Sequence, residues 1–294
     1  MILVVGATGL LGSEISRRLS AAGQPVRGLV RATSSREKVE ALTSAGVATA
    51  IADLKDPDSI SRACQGVSAV IATASSTLSR QEGDTIETVD RVGYLNLVDA
   101  ARRSAVERFV YVSIPPDAPV ASPLSEAKRE VEQKLAGSGM GYTILQAGIF
   151  MEVWLSPILG FDYGNGRATI YGSGERPMSW VSYRDVAGFA VDALASSAAR
   201  NRVLPAGGPE NLSPHEVVRA FEEASGRSFE LTHVPEDVLE RQYAEAADTL
   251  GKSFAALMLS YARGWTMDMS ETLRMLPRPL TTVRDYAARV GRPS

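Results

Sequence analysis

The residues that could do chemistry gather at the ends of short apolar runs. "GATGLLG" sets Gly6, Gly9 and Gly12 three residues apart, directly after "ILVV". Glycines so placed let the chain turn tightly, let backbone N–H groups approach a pyrophosphate, and let a helix pack on a strand. The helix N-terminus that follows adds donors and partial positive charge. Gly6, Ala7, Thr8, Gly9, Leu10, Leu11 and Gly12 together form a candidate dinucleotide-binding loop.

A second apolar run ends at Arg31, in "GLVRATSSREK". An acid there would accept from the ribose hydroxyls of NAD, whereas a guanidinium suits the extra phosphate of NADP. Arg31, with Arg36 and Lys38 behind it and no acid before Glu37, favours NADP(H), with NAD(H) as the alternative. In "AIADLKD", Asp53 offers an acceptor for an adenine amino group, and the backbone of Leu54 can line the ring. Thr73, Ala74 and Ser75 of "ATAS" are small enough to let the ribose and nicotinamide side of a dinucleotide pass.

These positions need elements to hold them. Residues 2–5, 25–30, 47–53, 67–75, 107–113 and 141–148 read as strands, being short, apolar and bounded by turn residues. Between them, 13–23, 36–46, roughly 56–66, 84–104 and 124–137 carry helical spacing, and Gly23 stops the first. Strands alternating with helices of this length imply right-handed βαβ units and a parallel sheet covered on both faces. After residue 148 the rhythm changes to an aromatic- and glycine-rich stretch. Residues 180–195 then return to strand and helix, and 211–226 form a helix capped by Ser213, Pro214 and Glu216. The expected fold is α/β: a Rossmann doubly wound parallel sheet with a smaller, mainly helical C-terminal lobe. The expected division is 1–147, with 179–206 returning to it, and 148–294 as a substrate-binding lobe.

Bulk properties narrow the function classes. The 294 residues are 45% hydrophobic and 22% charged with a net charge of −3, an ordinary globular composition without the clustered Lys/Arg that nucleic-acid binding needs. One cysteine, Cys64, excludes an intramolecular disulfide and suits a reducing compartment. No basic leader precedes the first strand and no apolar run approaches the ~20 residues that span a bilayer, so a cytoplasmic location is expected. Ser125 and Lys128 spell the S-x-x-K of acyl-enzymes, but the rest of that pattern is missing. His215 and His233 have no acid or second histidine at ligand spacing, so no metal site is expected. Phe150, Trp154, Phe161, Tyr163, Tyr171 and Trp180 read equally well as core or as the wall of a flat apolar site.

"GATGLLG", "LVR", "ADL", "VDRVGYLNLVDAA", "ERFVYVS", "GYTILQAGIFME", "WVSYRDVA" and "NLSPHEV" follow one another as in the NmrA-like branch of the atypical short-chain dehydrogenase/reductases. The chain resembles that branch over residues 1 to about 235. The resemblance implies NAD(P)(H) at the glycine loop, with Gly148 and Phe150 of "QAGIFME" also near it, and a substrate cleft beside the sheet edge. In the wider superfamily a Tyr-x-x-x-Lys pair acts with a strand-end serine. The tyrosine moves the substrate proton, the lysine holds the nicotinamide ribose, and the serine orients the carbonyl. Ser113 and Lys128 match that pattern, but Leu124 stands where the tyrosine would be. Lys128 then either holds the ribose, the favoured role, or serves the reaction directly.

The leading reading is an NADPH-preferring oxidoreductase that reduces a quinone or similar conjugated carbonyl. Such a reaction can take its proton from solvent or a weaker acid. The alternative is a non-catalytic NADP(H)-sensing regulator. A sugar-nucleotide epimerase is disfavoured by Leu124. The expected partner is a small flat apolar substrate, with neither nucleic acid nor a membrane span, and a homodimer is one arrangement allowed.

Overall fold

Apolar runs too short for helices become strands, and amphipathic stretches between them become the helices that cover those strands. The computed structural model describes residues 1–79 and 81–291. In chain order, β1 (Ile2–Val5), α1 (Leu10–Ala21), β2 (Val26–Val30), α2 (Arg36–Ser44), β3 (Ala48–Ile51), α3 (Pro57–Ala63) and β4 (Ala69–Ala72) alternate strictly. A π-helical segment, Ile86–Gly93, runs directly into α4 (Tyr94–Arg103); β5 (Arg108–Ser113), α5 (Pro123–Ala136) and β6 (Gly141–Ala147) follow. Beyond them come β7 (Ile149–Phe150), α6 (Met151–Trp154), β8 (Phe161–Asp162), β9 (Arg167–Tyr171) and β10 (Met178–Val181). The chain closes with α7 (Tyr183–Ala195), β11 (Arg202–Ala206), β12 (Asn211–Leu212), α8 (Pro214–Ser225), β13 (Glu230–Val234), α9 (Glu236–Glu245), α10 (Thr249–Arg263), α11 (Ser270–Met275) and α12 (Val283–Val290).

The chain divides into two compact units. The first comprises Met1–Ile114, Pro123–Gln146 and Val186–Leu204. Its seven strands lie in the order β11-β6-β5-β4-β1-β2-β3, and β1 to β6 pair in parallel. This is a Rossmann sheet: the order reverses at β1, so the ends of β1 and β4 flank the switch point where such sheets take ligands. Val4, Val70, Ile71, Phe109 and Leu145 are fully buried. β3 departs from the expectation of a sheet covered throughout. It is the edge strand, and Ile51 is 73% exposed.

The second unit comprises Pro115–Ser122, Ala147–Asp185 and Pro205–Ser294. It contains two small sheets, ordered β12-β10-β7 and β13-β9-β8, with α8 to α12. Ser213 and Glu216 close a capping box at the start of α8, and Gly226 ends that helix in the left-handed region. Trp154 stacks on Tyr261 at 5.1 Å, Trp180 is fully buried, and Phe161 packs edge-on against Phe221. These three aromatics are core, one of the two readings that the sequence leaves open for them. No helix among the described residues is long and apolar enough to cross a membrane.

Candidate functional site

The glycine loop lies at the switch point of the first unit. Gly6 has φ +87°, and a Cβ there would stand 2.8 Å from the Thr73 Oγ1 and the Ala74 nitrogen. A Cβ on Gly12 would come within 2.1 Å of the Gly6 carbonyl oxygen. The loop therefore packs directly on the end of β4, and α1 packs directly on the loop, both without side chains between. The Gly9 N–H donates to the Gly6 carbonyl (2.9 Å), and no side chain caps α1. Ala7 and Leu11 are buried, Thr8 is half-buried, and Gly9 and Leu10 are exposed at the rim. Thr73 is tied to the loop by its N–H and hydroxyl, both donating to the Val5 carbonyl. Ser75 bonds Thr77, and the Ala74 carbonyl accepts from Tyr94 Oη at 2.7 Å.

Arg31 follows β2 and is one-third exposed. Its Nη1 donates to Asp84 Oδ2 at 2.5 Å, and Lys55 Nζ donates to Asp84 Oδ1 at 2.6 Å. Asp53 accepts from the Lys55 N–H at 2.9 Å, and Leu54 turns its side chain into the core. Arg36 pairs with Glu40 on an exposed surface, and Lys38 is exposed.

Lys128, on α5, is almost wholly buried beside two tyrosines. Its Nζ lies 3.4 Å from Tyr111 Oη and 5.1 and 5.8 Å from the ring centres of Tyr111 and Tyr94. Among the described residues no carboxylate lies within ion-pair distance of it. Burial pulls its pKa below the usual lysine value, while the charges of Asp90 and Glu132 pull it back up. Burial likewise keeps both phenols protonated far above their usual range. Asp90 is fully buried in the π-helical segment. Its Oδ2 accepts from the Ser76 N–H (3.0 Å) and hydroxyl (2.5 Å), while Oδ1 has no hydrogen-bond partner. π-Helical turns recur at functional sites. Ser113, also buried, accepts from Arg129 Nη2 at 3.0 Å, which leaves its own proton free to donate.

A dinucleotide fits this donor and acceptor set. Glycines at 6, 9 and 12 add no side chain to the loop at those positions, and the α1 N-terminus has no side-chain cap. Among the described residues Asp90 Oδ1 is unpartnered and Lys128 holds one long hydrogen bond in a buried place. Glycine spacing and strand-end composition pointed to the first parts. Asp84, Asp90, Tyr111 and Arg129 were not read from the sequence. The one available signal was Asp90 itself, an acid on the same i, i+4 ladder as the buried Ile86 and Tyr94.

Gly148 and Phe150 belong to the second unit. Gly148 N–H donates to the Ala206 carbonyl at 3.1 Å, and Phe150 pairs with Val181. The two histidines, not at ligand spacing along the chain, are neighbours in the fold. The fold brings His215 and His233 together with ring centres 5.7 Å apart, and His215 Nδ1 lies 2.7 Å from Glu175 Oε1. Sequence spacing cannot show a contact between a helix-start residue of α8 and a residue of β13. No group of three or more His, Cys, Asp or Glu among the described residues is arranged to hold a metal.

The profile of the NmrA-like family matches residues 1–277. The chain belongs to the NmrA-like family. It is 35% identical over 233 residues to an NAD(P)H azoreductase of Xenophilus azovorans, covering 77% of this chain and 74% of that protein. It is 30% identical over 303 residues to the photosystem II assembly factor Ycf39 of Synechocystis sp., covering 97% and 89%. Among solved structures, the NADPH complex of the Escherichia coli quinone oxidoreductase QOR2 superposes with TM-score 0.78 at 22% identity, over 99% of this chain and all of that one. Triphenylmethane reductase of Citrobacter sp., complexed with NADP(H), gives 0.77 at 22%, over 99% of each. These two likenesses establish the fold of this family member.

Proposed function

We propose that the protein is an NAD(P)H-dependent oxidoreductase, NADPH-preferring, that reduces a quinone or similar conjugated acceptor. The observation that carries this is the loop with glycines at 6, 9 and 12, packed on Thr73 and Ala74, with Tyr94 bonded to the Ala74 carbonyl and Lys128 buried against Tyr94 and Tyr111. In this reading the loop and the α1 N-terminus hold the pyrophosphate, and Arg31 meets the adenosine phosphate. Lys128 and Asp90 take the nicotinamide ribose hydroxyls, one as donor and the other as acceptor. The bound nucleotide supplies a hydride. Ser113, its oxygen held by Arg129, directs its proton outward toward an acceptor oxygen. The azoreductase relative supports reductive chemistry on a conjugated acceptor.

The test is steady-state oxidation of NADPH and NADH against a panel of quinones and azo compounds, beside fluorescence titration of each nucleotide. Saturable NADPH oxidation with at least one acceptor is expected. Tight NADPH binding with no turnover on any acceptor would sink the enzymatic reading. A specific observation favours a second reading in that event. Leu124 stands at the tyrosine position, and the assembly-factor relative matches nearly the whole chain. The protein would then be a nucleotide sensor, and its affinity for a protein partner should change with NADPH. A pull-down indifferent to the nucleotide would discard it.

A further inference from the structure

The carboxylate of Asp84 is the most heavily engaged acid in the first unit, and the proposed chemistry does not use it. Its side chain is 2% exposed. Oδ1 accepts from Lys55 Nζ at 2.6 Å; Oδ2 accepts from Arg31 Nη1 at 2.5 Å and from the Ser79 hydroxyl. A second tie joins the same stretches, Thr33 donating to Gln81 Oε1 at 2.7 Å. Lys55 also lies 3.9 Å from Asp53 Oδ2. Residues distant in sequence thus clip together the turns that leave β2 and β3.

We propose that Asp84 is a cofactor-specificity residue: it holds the Arg31 guanidinium in place so that its remaining N–H groups meet the 2′-phosphate of NADP(H). This rests on the reading of the glycine loop as a nucleotide site and deepens it. The asymmetry of exposure sets the direction of the argument. The carboxylate is sealed and its donors saturate it, so it is not the face that meets a ligand. The guanidinium is one-third exposed and, among the described residues, bonds Asp84 through Nη1 with the other donors of its five-donor fork unused. An unanchored arginine must lose its rotamer freedom when it binds, and an anchored one has lost it already. The cluster of Arg31, Lys55, Asp53 and Asp84 carries two charges of each sign. Selectivity for the phosphate therefore comes from the oriented fork more than from net positive charge. The bonds from Lys55, Ser79 and Arg31 support this arrangement: burial alone would raise the Asp84 pKa, yet they hold it below its usual value.

The experiment is calorimetric binding of adenosine 2′,5′-bisphosphate and of 5′-AMP, which differ only in the 2′-phosphate, to the full chain. The variants are Asp84→Asn and Arg31→Ala, singly and together, with a thermal melt of each. In the wild type the bisphosphate should bind the tighter. In Asp84→Asn that preference should fall about tenfold, the scale of one charge-assisted hydrogen bond, with 5′-AMP affinity changed less than about twofold. In the double variant it should fall no further than in Arg31→Ala alone. Ser79→Ala, which strips one bond from Asp84 and keeps its charge, is the milder variant should Asp84→Asn not fold. It should lower the preference about threefold. An unchanged or increased preference overturns the proposal, since Asp84 would then be a bystander or a competitor of the phosphate. Equal loss for both nucleotides overturns it too, because Asp84 would be only structural. A wild type that binds neither nucleotide refutes instead the reading of the site.

Discussion

Replacing Lys128 by methionine should strengthen the ligand-free fold while removing its response to the nucleotide. A buried lone ammonium costs several kcal/mol even after the protein relaxes around it. Lys128 recovers part of this from two ring faces, each about 1 kcal/mol, and from one long 3.4 Å hydrogen bond to a neutral phenol. Methionine has similar reach and packs well on aromatic rings. The net gain should be about 1–3 kcal/mol. In a chain of this size each kcal/mol is worth about 2–4 °C in Tm. The sign with pH follows from the lowered lysine pKa in the fold. Below that folded value both states carry the charge and the penalty is complete. As pH rises from there toward the unfolded value, about 10.4, the folded lysine loses its proton first and the wild type regains ground. The advantage of Lys128→Met should therefore be largest below the folded lysine value and shrink as pH rises through it toward the unfolded value. Urea unfolding of ligand-free protein at pH 7 and pH 10 measures this, and melts with and without NADPH measure the response. Asp90→Asn/Lys128→Met, which removes the opposite buried charge as well, completes a double-mutant cycle. A loss of more than about 1 kcal/mol in the ligand-free single variant would refute the reasoning, because Lys128 would then be a structural group. An intact NADPH-induced shift in Lys128→Met would remove it from the nucleotide site.

Other substitutions probe the remaining parts. Gly12→Ala drives a Cβ into the Gly6 carbonyl at 2.1 Å, so the loop must open. A loss of about 1–3 kcal/mol by urea titration, together with loss of NADPH binding, is expected. Ser113→Ala should lower kcat roughly 100-fold while nucleotide Kd stays within about twofold; an unchanged kcat removes Ser113 from the chemistry. Asp84→Asn should cost about 2 kcal/mol at pH 7, because its carboxylate is charge-bonded. The Asp84 pKa is lowered in the fold, so its stabilisation is present above the unfolded carboxyl range and is lost as pH falls through the folded value. Variant and wild type should converge once the pH falls below the folded value. Cys64 is fully buried and its thiol is pushed up to about 11 by desolvation. It should resist a thiol reagent at pH 8 in native protein and react at once in denaturant, whereas rapid native labelling would show that the helix flank opens.

The local part of this protein was legible without a structure. Glycine spacing after a β-branched run, Ser-Pro-x-Glu at a helix start, and apolar runs of four to seven residues are short-range constraints, because backbone dihedrals and capping bonds act within a few residues. The order of sheet and helix followed from them, since βαβ connections have one hand. Family motifs located Ser113 and Lys128. One local reading failed where burial is decided elsewhere, since β3 lies at an edge; for Trp154, Phe161 and Trp180 the fold selects core, which the sequence leaves open beside a wall.

What only the tertiary structure decided are the partners. Asp84 reaches Arg31 across 53 residues of chain and Lys55 across 29. Lys128 meets Tyr111 across 17, and His233 on β13 meets His215 on α8. Desolvation and long-range hydrogen bonds depend on which surfaces the sheet and helices cover, and no periodicity along the chain encodes that. The sequence by itself determined that a strand would run into a bare glycine turn and a helix, the form of a nucleotide-binding loop. The packing of α5, the π-helical segment and the ends of β2 to β5 decided which charges are buried around it and which have partners.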